Sequence, residues 1–318
     1  MCTSSEIVSP APTSHSGRHS SGHSALPPDY ETTEGVELTR LSQSSSSTRS
    51  PPQYAALYGD VSSSSSADPS GFQPTKLLQI QALGTQLFSL PGPPRPDPIC
   101  VYNVAPTGEI DQAEYVSVRP TARSGSCFLA RADDTAQTPI CTTTYRFGPG
   151  RPPKMCLVGG DAAQDDSTVD GEEFEINGKG VLTRSVKMRT HLGTFEWRYG
   201  ARAERRAVEA SVGEDVNNLL VFDQVTNVAL NGGKQEKRRR KVGQFVRSDG
   251  TRTPGTRKDA AGNGGRLMLD LREWADRKGE AGQMEILAVA SCVTMLKREI
   301  DRRRSNQIVG LTVGTGAC

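Results

Sequence analysis

The feature that most restricts how this chain can fold is one C-terminal segment, Gln283 to Arg304, whose apolar residues do not gather on one side. On a helix, Met284, Ile286, Leu287, Ala288, Val289, Ala290, Cys292, Val293, Met295 and Leu296 cover the whole circumference. A helix that is apolar all round belongs in a protein interior or in a bilayer. Its apolar section, Met284 to Leu296, has 13 residues and includes Glu285, Ser291 and Thr294, whereas a membrane span needs about 20. The helix is therefore expected to be enclosed by protein, and the rest of the chain has to supply the enclosure.

Upstream, short runs of alternating apolar residues punctuated by Gly, Pro, Asn and Asp predict strands. They cover Leu77 to Leu83, Ile99 to Val104, Glu114 to Val118, Ser126 to Arg131, Ile140 to Phe147, Lys154 to Val158, Glu172 to Ile176 and Val181 to His191. Thr194 to Tyr199, Asn218 to Val225, Lys241 to Arg247 and Arg266 to Leu271 follow. In Thr194 to Tyr199 the three aromatics, Phe195, Trp197 and Tyr199, share one face. About twelve strands and one buried helix predict a mainly β fold: a closed antiparallel barrel around the helix, closure removing the exposed sheet edges.

Composition separates this domain from what precedes it. Only 35% of the 318 residues are hydrophobic, and residues 1–70 hold twenty serines, in runs such as Ser44 to Ser47 and Ser62 to Ser66. Such a segment buries too little apolar surface to offset its ordering entropy, so residues 1–73 are expected to be a disordered arm. The barrel is expected over 74–310 and a short tail over 311–318. Arg18, Arg40 and Arg49 stand against seven acidic residues in 1–70, giving −4, so the remaining chain carries +6 of the net +2. Seven cysteines without C-x-x-C spacing predict neither a disulfide framework nor a zinc site, and fit a reducing compartment. No secretory signal pattern is visible, and no cofactor or metal site is expected.

The arm carries two P-P-x-Y sequences, Pro27-Pro28-Asp29-Tyr30 and Pro51-Pro52-Gln53-Tyr54. A Pro-Pro pair is biased to polyproline II before binding, so little entropy is lost when it docks across an aromatic groove. The pattern resembles the ligand motif of WW domains, including those of HECT-type ubiquitin ligases, and two copies on one tether favour tandem WW domains. His15, His19 and His23 stand four apart, but Ser, Gly and Arg between them argue against a metal-binding helix. Cys2 is a possible acylation site only in company with a second membrane signal.

In the folded part the densest charge is Lys237-Arg238-Arg239-Arg240-Lys241, expected in a loop after the turn signal Asn231-Gly232-Gly233; Asn231 to Ala260 holds ten basic and three acidic residues. Three readings stay open for it: contact with anionic lipid or phosphoinositide, a nuclear import or nucleic-acid patch, and a solvated loop beside a sheet edge. Lys297, Arg298, Arg302, Arg303 and Arg304 are expected near the helix C-terminus, where cations oppose the macrodipole. Gly262-Asn263-Gly264-Gly265 is expected to be a tight turn, since no Lys-Ser or Lys-Thr pair follows. His191 is expected in a strand, and no hydrolase, P-loop or dinucleotide motif is present, so binding is favoured over catalysis.

Antiparallel strands closed around a C-terminal apolar helix resemble the tubby C-terminal-like fold of tubby proteins, phospholipid scramblases and plant LURP-one-related proteins. Thr194 to Tyr199, the Arg252-Thr253-Pro254-Gly255 turn, Ala261 to Gly265 and the helix with its Lys297-Arg298-Glu299 continuation are similar to fungal proteins of that fold. The resemblance covers about residues 75–310 and carries over no functional residue. It implies a non-enzymatic module, often membrane-associated through anionic lipid headgroups, and the scramblases share the P-P-x-Y-bearing arm. The chain is expected to be a monomeric adaptor whose barrel docks on anionic lipid or protein. Their calcium-binding segment is not recognised here. The alternatives are a scramblase-like membrane protein and a nuclear protein.

Overall fold

The computed structural model describes residues 71–86, 98–120, 125–146, 151–158, 171–178, 184–229 and 235–314, the side chains of the last helix as far as residue 307. The P-P-x-Y residues Pro27, Pro28, Tyr30, Pro51, Pro52 and Tyr54 and the three arm histidines lie outside them.

Thirteen strands form one antiparallel sheet. They are β1 (Lys76–Thr85), β2 (Ile99–Val104), β3 (Ile110–Val118), β4 (Cys127–Arg131), β5 (Cys141–Thr144), β6 (Lys154–Leu157), β7 (Glu172–Glu175), β8 (Asn177–Gly178), β9 (Val186–Thr190), β10 (Gly193–Tyr199), β11 (Val216–Ala229), β12 (Gln235–Ser248) and β13 (Ala261–Leu269). Their order is β7-β6-β5-β4-β3-β2-β1-β13-β12-β11-β10-β9-β8. The chain thus runs outward from β1 to one end and returns from the other end to β13, which pairs with β1. The two ends, β7 and β8, are consecutive in sequence and joined by Ile176 alone, whose side chain is buried. The sheet therefore curls into a nearly closed barrel, as the strand pattern predicted.

The helix α2 (Glu280–Gly314) fills the interior with its apolar section, Met284 to Leu296, every residue of which is buried. Met284, Leu287, Ala288, Cys292 and Met295 form one buried cluster with inward residues of both halves of the sheet, among them Ile80, Tyr115, Met155, Met188, Trp197 and Phe245. Each such large side chain contributes about 1.5–3 kcal/mol on burial. Helical side chains on every azimuth find partners because the wall is continuous, which is why this helix has no polar stripe. Trp274, in a short 3-10 turn, closes the end of the barrel nearest the helix N-terminus and lies 6.2 Å from the Phe195 ring centroid. Among the described residues, no helix is long and apolar enough to cross a membrane.

Four features depart from the sequence expectations. First, Ala261 to Gly265 is strand, not turn: a Cβ on Gly264 would lie 2.1 Å from Ile80 O, and Gly262, at φ +70°, faces Leu296 O and Ile300 of α2. The glycines thus permit close approach within a sheet. Second, α2 continues past Arg304 to Gly314, so the basic group lies in mid-helix and does not oppose the macrodipole. Third, a helix α1 (Arg202–Val212) follows β10. Glu204 accepts from the Ala201 N–H, Gly213 ends the helix in the left-handed region at φ 73°, and Val208 packs in a second apolar cluster with Leu219, Val221, Val246 and Met268. Finally, Gly71 and Gln73, assigned to the arm, are bonded to the Arg272 guanidinium, and the Gln73 N–H also donates to Asp270.

Candidate anion-binding site

The run Lys237 to Lys241 is part of β12, not a loop; it pairs residue by residue with Asn227 to Asp223 of β11. A strand sends alternate side chains to opposite faces, so the charge is divided. Lys237 and Arg239 reach the carboxylate of Glu196, at 3.0 and 3.3 Å; that side chain is only 2% exposed. Lys241 stands over the Phe72 ring at 5.5 Å. On the other face Arg238 pairs with Glu236 at 3.5 Å, and Arg240 pairs with Glu273 while lying 5.4 Å from the Trp274 ring centroid. Beside them Arg198 binds Asp223 at 2.7 Å and grips Glu204 through both terminal nitrogens, holding that carboxyl down at about 2. Most of the run therefore has counter-charges or ring contacts within the fold, and Arg238, 62% exposed, projects furthest.

A different cationic site lies at the other end of the same strands. A cavity of about 340 Å³ is lined by Arg184, Arg247, Arg252, Lys258, Arg302 and Arg303, against the acidic Asp259 and Glu299, a balance of +4. Tyr199 and the carboxamides of Asn217, Asn218, Asn263 and Asn306 complete its polar lining. These residues come from the approach to β9, the end of β10, the start of β11, the end of β12 with its following turn, the start of β13, and α2. The sequence reading did not assemble the site; its linear signals were the Arg302-Arg303-Arg304 cluster, whose first two members line the cavity, and Arg247, Arg252 and Lys258 at the end of the basic stretch Asn231 to Ala260.

Glu299 is the fixed point of the floor. It accepts from Tyr199 Oη at 2.6 Å and from the Gly262 N–H at 3.1 Å, and Arg247 Nη2 lies 2.8 Å away. Burial, then the neighbouring Glu299 charge, pushes the Tyr199 hydroxyl up to about 12, so it stays a donor. Arg247 and Asn263 are 4% and 2% exposed. Despite the short ion-pair distance, neither Arg247 Nε nor Nη2 has a hydrogen-bond partner among the described residues, nor does Asn263 Oδ1. At the rim, Arg303 donates to Asp259 O at 2.6 Å, Arg252 pairs with Asp249, and Arg184 lies over the Tyr199 ring at 5.6 Å. Arginine guanidinium forks suit phosphate and carboxylate oxygens better than point charges do.

His191 lies in the turn between β9 and β10, not in a strand, and is exposed. Glu172 Oε2 faces its Nδ1 at 2.5 Å, and Gln283 Oε1 faces its Nε2 at 2.8 Å. The thiols of Cys100, Cys127, Cys141, Cys156 and Cys292 are free; burial raises the pKa of Cys141 and Cys292 above the ordinary thiol range. No family model, curated protein or solved structure matches the chain.

Proposed function

We propose that the protein is a non-enzymatic adaptor of the tubby-like kind, with a barrel that docks on phosphate-bearing anionic lipid and an arm that recruits WW-domain proteins through Pro27-Pro28-Tyr30 and Pro51-Pro52-Tyr54. The observation that carries the reading is the mouth cavity, where cations from distant parts of the chain converge at +4. Each cation near an anionic surface contributes on the order of 1 kcal/mol, so a handful suffices for salt-sensitive docking. The Lys237 to Lys241 ribbon assists through Arg238 but, with Lys237 and Arg239 paired to Glu196, is the lesser contributor.

Co-sedimentation with phosphoinositide-containing vesicles tests the barrel. Arg302→Glu/Arg303→Glu is expected to lose binding, and Arg238→Glu to lose little. Equal loss in both, or binding unaffected by salt, contradicts the reading. For the arm, recovery on a WW-domain bait is expected to fall in Tyr30→Ala/Tyr54→Ala. Unchanged recovery removes that half of the proposal.

A further inference from the structure

The hairpin of β11 and β12 outruns its neighbours. β10 pairs with β11 only as far as Gln224, and β13 pairs with β12 only from Gly243 onward, whereas β11 and β12 pair with each other out to Ala229 and Gln235. β13 ends at Leu269; the Asp270 N–H still donates to Val242 O, and the chain then turns into Arg272–Trp274. Among the described residues, therefore, no strand pairs with Gln235 to Lys241 on the side away from β11. At about 3.3 Å per residue this edge is about 20 Å long, and every second residue turns its N–H and C=O outward. Lys237 and Arg239 are tied to Glu196 on β10, and Val225, which pairs with Arg239, is buried, so the ribbon is anchored to the barrel wall. Lys237 to Arg240 pair with three carboxylates, those of Glu196, Glu236 and Glu273, which leaves, with Lys241, a surplus of two positive charges.

That surplus decides what can add to the edge. A second copy of the chain would bring the same cations across the new ladder, where like charges directly opposite one another repel. A nucleic acid would meet the cations but leave the row of main-chain donors and acceptors unmatched. An extended segment with acidic residues at alternate positions supplies both the main-chain partners and the charge. We infer that the β12 edge, Gln235 to Lys241, binds an extended acidic segment of a partner protein by strand addition, and that Arg238, 62% exposed, is the cation that selects it. The site is independent of anion docking at the mouth cavity, which lies at the other end of these strands, and of the P-P-x-Y arm.

Fluorescence anisotropy of the full chain with a labelled heptapeptide, Thr-Glu-Val-Glu-Val-Glu-Thr, tests this. The control is the same peptide N-methylated at its third and fourth residues, which keeps the charge but blocks one N–H on each of its edges. The unmethylated peptide is expected to bind about tenfold tighter or more, and Arg238→Glu to weaken it by about the same factor. Arg302→Glu/Arg303→Glu is expected to leave it unchanged, so a failure of vesicle docking and a failure of strand addition are read separately. With the peptide bound, amide hydrogen exchange is expected to slow about tenfold or more at alternate residues between 235 and 241. If Arg238→Glu does not fold, Arg238→Ala reads the same loss. Equal affinity for the two peptides, or binding without slowed exchange, marks a charged patch and overturns strand addition. Tighter binding of a short oligothymidylate that displaces the peptide reassigns the ribbon to nucleic acid. Exchange at 235–241 that slows with protein concentration in the absence of peptide reassigns it to a second copy. Either reassignment, or no binding of the peptide at low salt, overturns the inference.

Discussion

Trp197 Nε1 donates a hydrogen bond to Ser291 Oγ at 2.8 Å, joining the middle of β10 to the middle of α2 inside the barrel. Both residues are buried, and the Trp197 ring stacks on Phe222 at 4.6 Å. An apolar helix in an apolar barrel has little to fix its rotation or its depth; this bond contributes to both, beside the bonds of Glu285 to Tyr115 and of Glu299 to Tyr199 and Gly262. Ser291→Ala is expected to leave the indole N–H buried without its acceptor and to cost about 1–3 kcal/mol. In Trp197→Phe/Ser291→Ala the coupling between the two changes is expected to be positive by denaturant unfolding; strict additivity would show that the bond carries nothing.

The β13 glycines give a sharper contrast. A Cβ on Gly264 would lie 2.1 Å from Ile80 O, 2.3 Å from Thr253 Oγ1 and 2.8 Å from Ala82 N. Two of these are backbone atoms of the paired strand, so Gly264→Ala must displace β1 from β13 and is expected to cost about 3 kcal/mol or more. At Gly282, in the first turn of α2, nothing lies within 4 Å of the added carbon. There Gly→Ala is expected to stabilise by about 0.5–1 kcal/mol through helix propensity. Melting temperatures moving in the same direction in the two variants would contradict this account.

The same glycines mark where the sequence was readable and where it was not. Period-two alternation identified twelve of the thirteen strands, because an inward face packed on a helix forces apolar residues to every second position. The missing strand, Asn177–Gly178, is two residues long and has no period to detect. Ala261 to Gly265 looked like a turn because glycine serves turns and close-packed strands equally, and only the position of Ile80 distinguishes them. Helix α1 had readable signals in Glu204, its alanines and Gly213, but it interrupts a run of strands. The cavity was not readable, since Arg184, Arg247 and Arg302 converge only through barrel closure. Conversely, the legible run at 237–241 proved to be divided between two faces of β12.

His191 spans the place where the barrel closes. Glu172 lies on β7, and its carboxylate accepts from the His191 N–H at 2.7 Å as well as facing Nδ1. Burial opposes the charged imidazole. The hydrogen bonds to Glu172 and Gln283 and the charges of Glu172 and Glu280 outweigh it, so the pKa lies above the ordinary value. A raised histidine pKa adds stability that is complete below about 6.5 and disappears as pH rises through the folded-state value. The side chain is 47% exposed, so the contribution is expected to stay below about 1 kcal/mol. Its signature is an imidazole NMR titration midpoint above 6.5 that falls to the ordinary value in Glu172→Gln. A midpoint at or below 6.5 in the wild type would refute the clasp.

The Glu196 cluster predicts that the most conspicuous basic run is partly structural. Glu196 is a carboxylate buried on the outer face of β10, and Lys237 and Arg239 lie within ion-pair distance of it. Removing counter-charges from a buried carboxylate costs more than removing an exposed ion pair, and here the cations are themselves 35% and 41% exposed. Lys237→Ala/Arg239→Ala is therefore expected to destabilise the fold by about 1–3 kcal/mol, between the exposed and buried limits. Adding Glu196→Gln should recover much of that loss, because the buried charge that lost these two cations is then gone. Arg238→Ala should be nearly silent. If the double variant unfolds at the wild-type denaturant midpoint, the run is a free surface patch after all, and its weight in anion docking has to be raised relative to the mouth cavity.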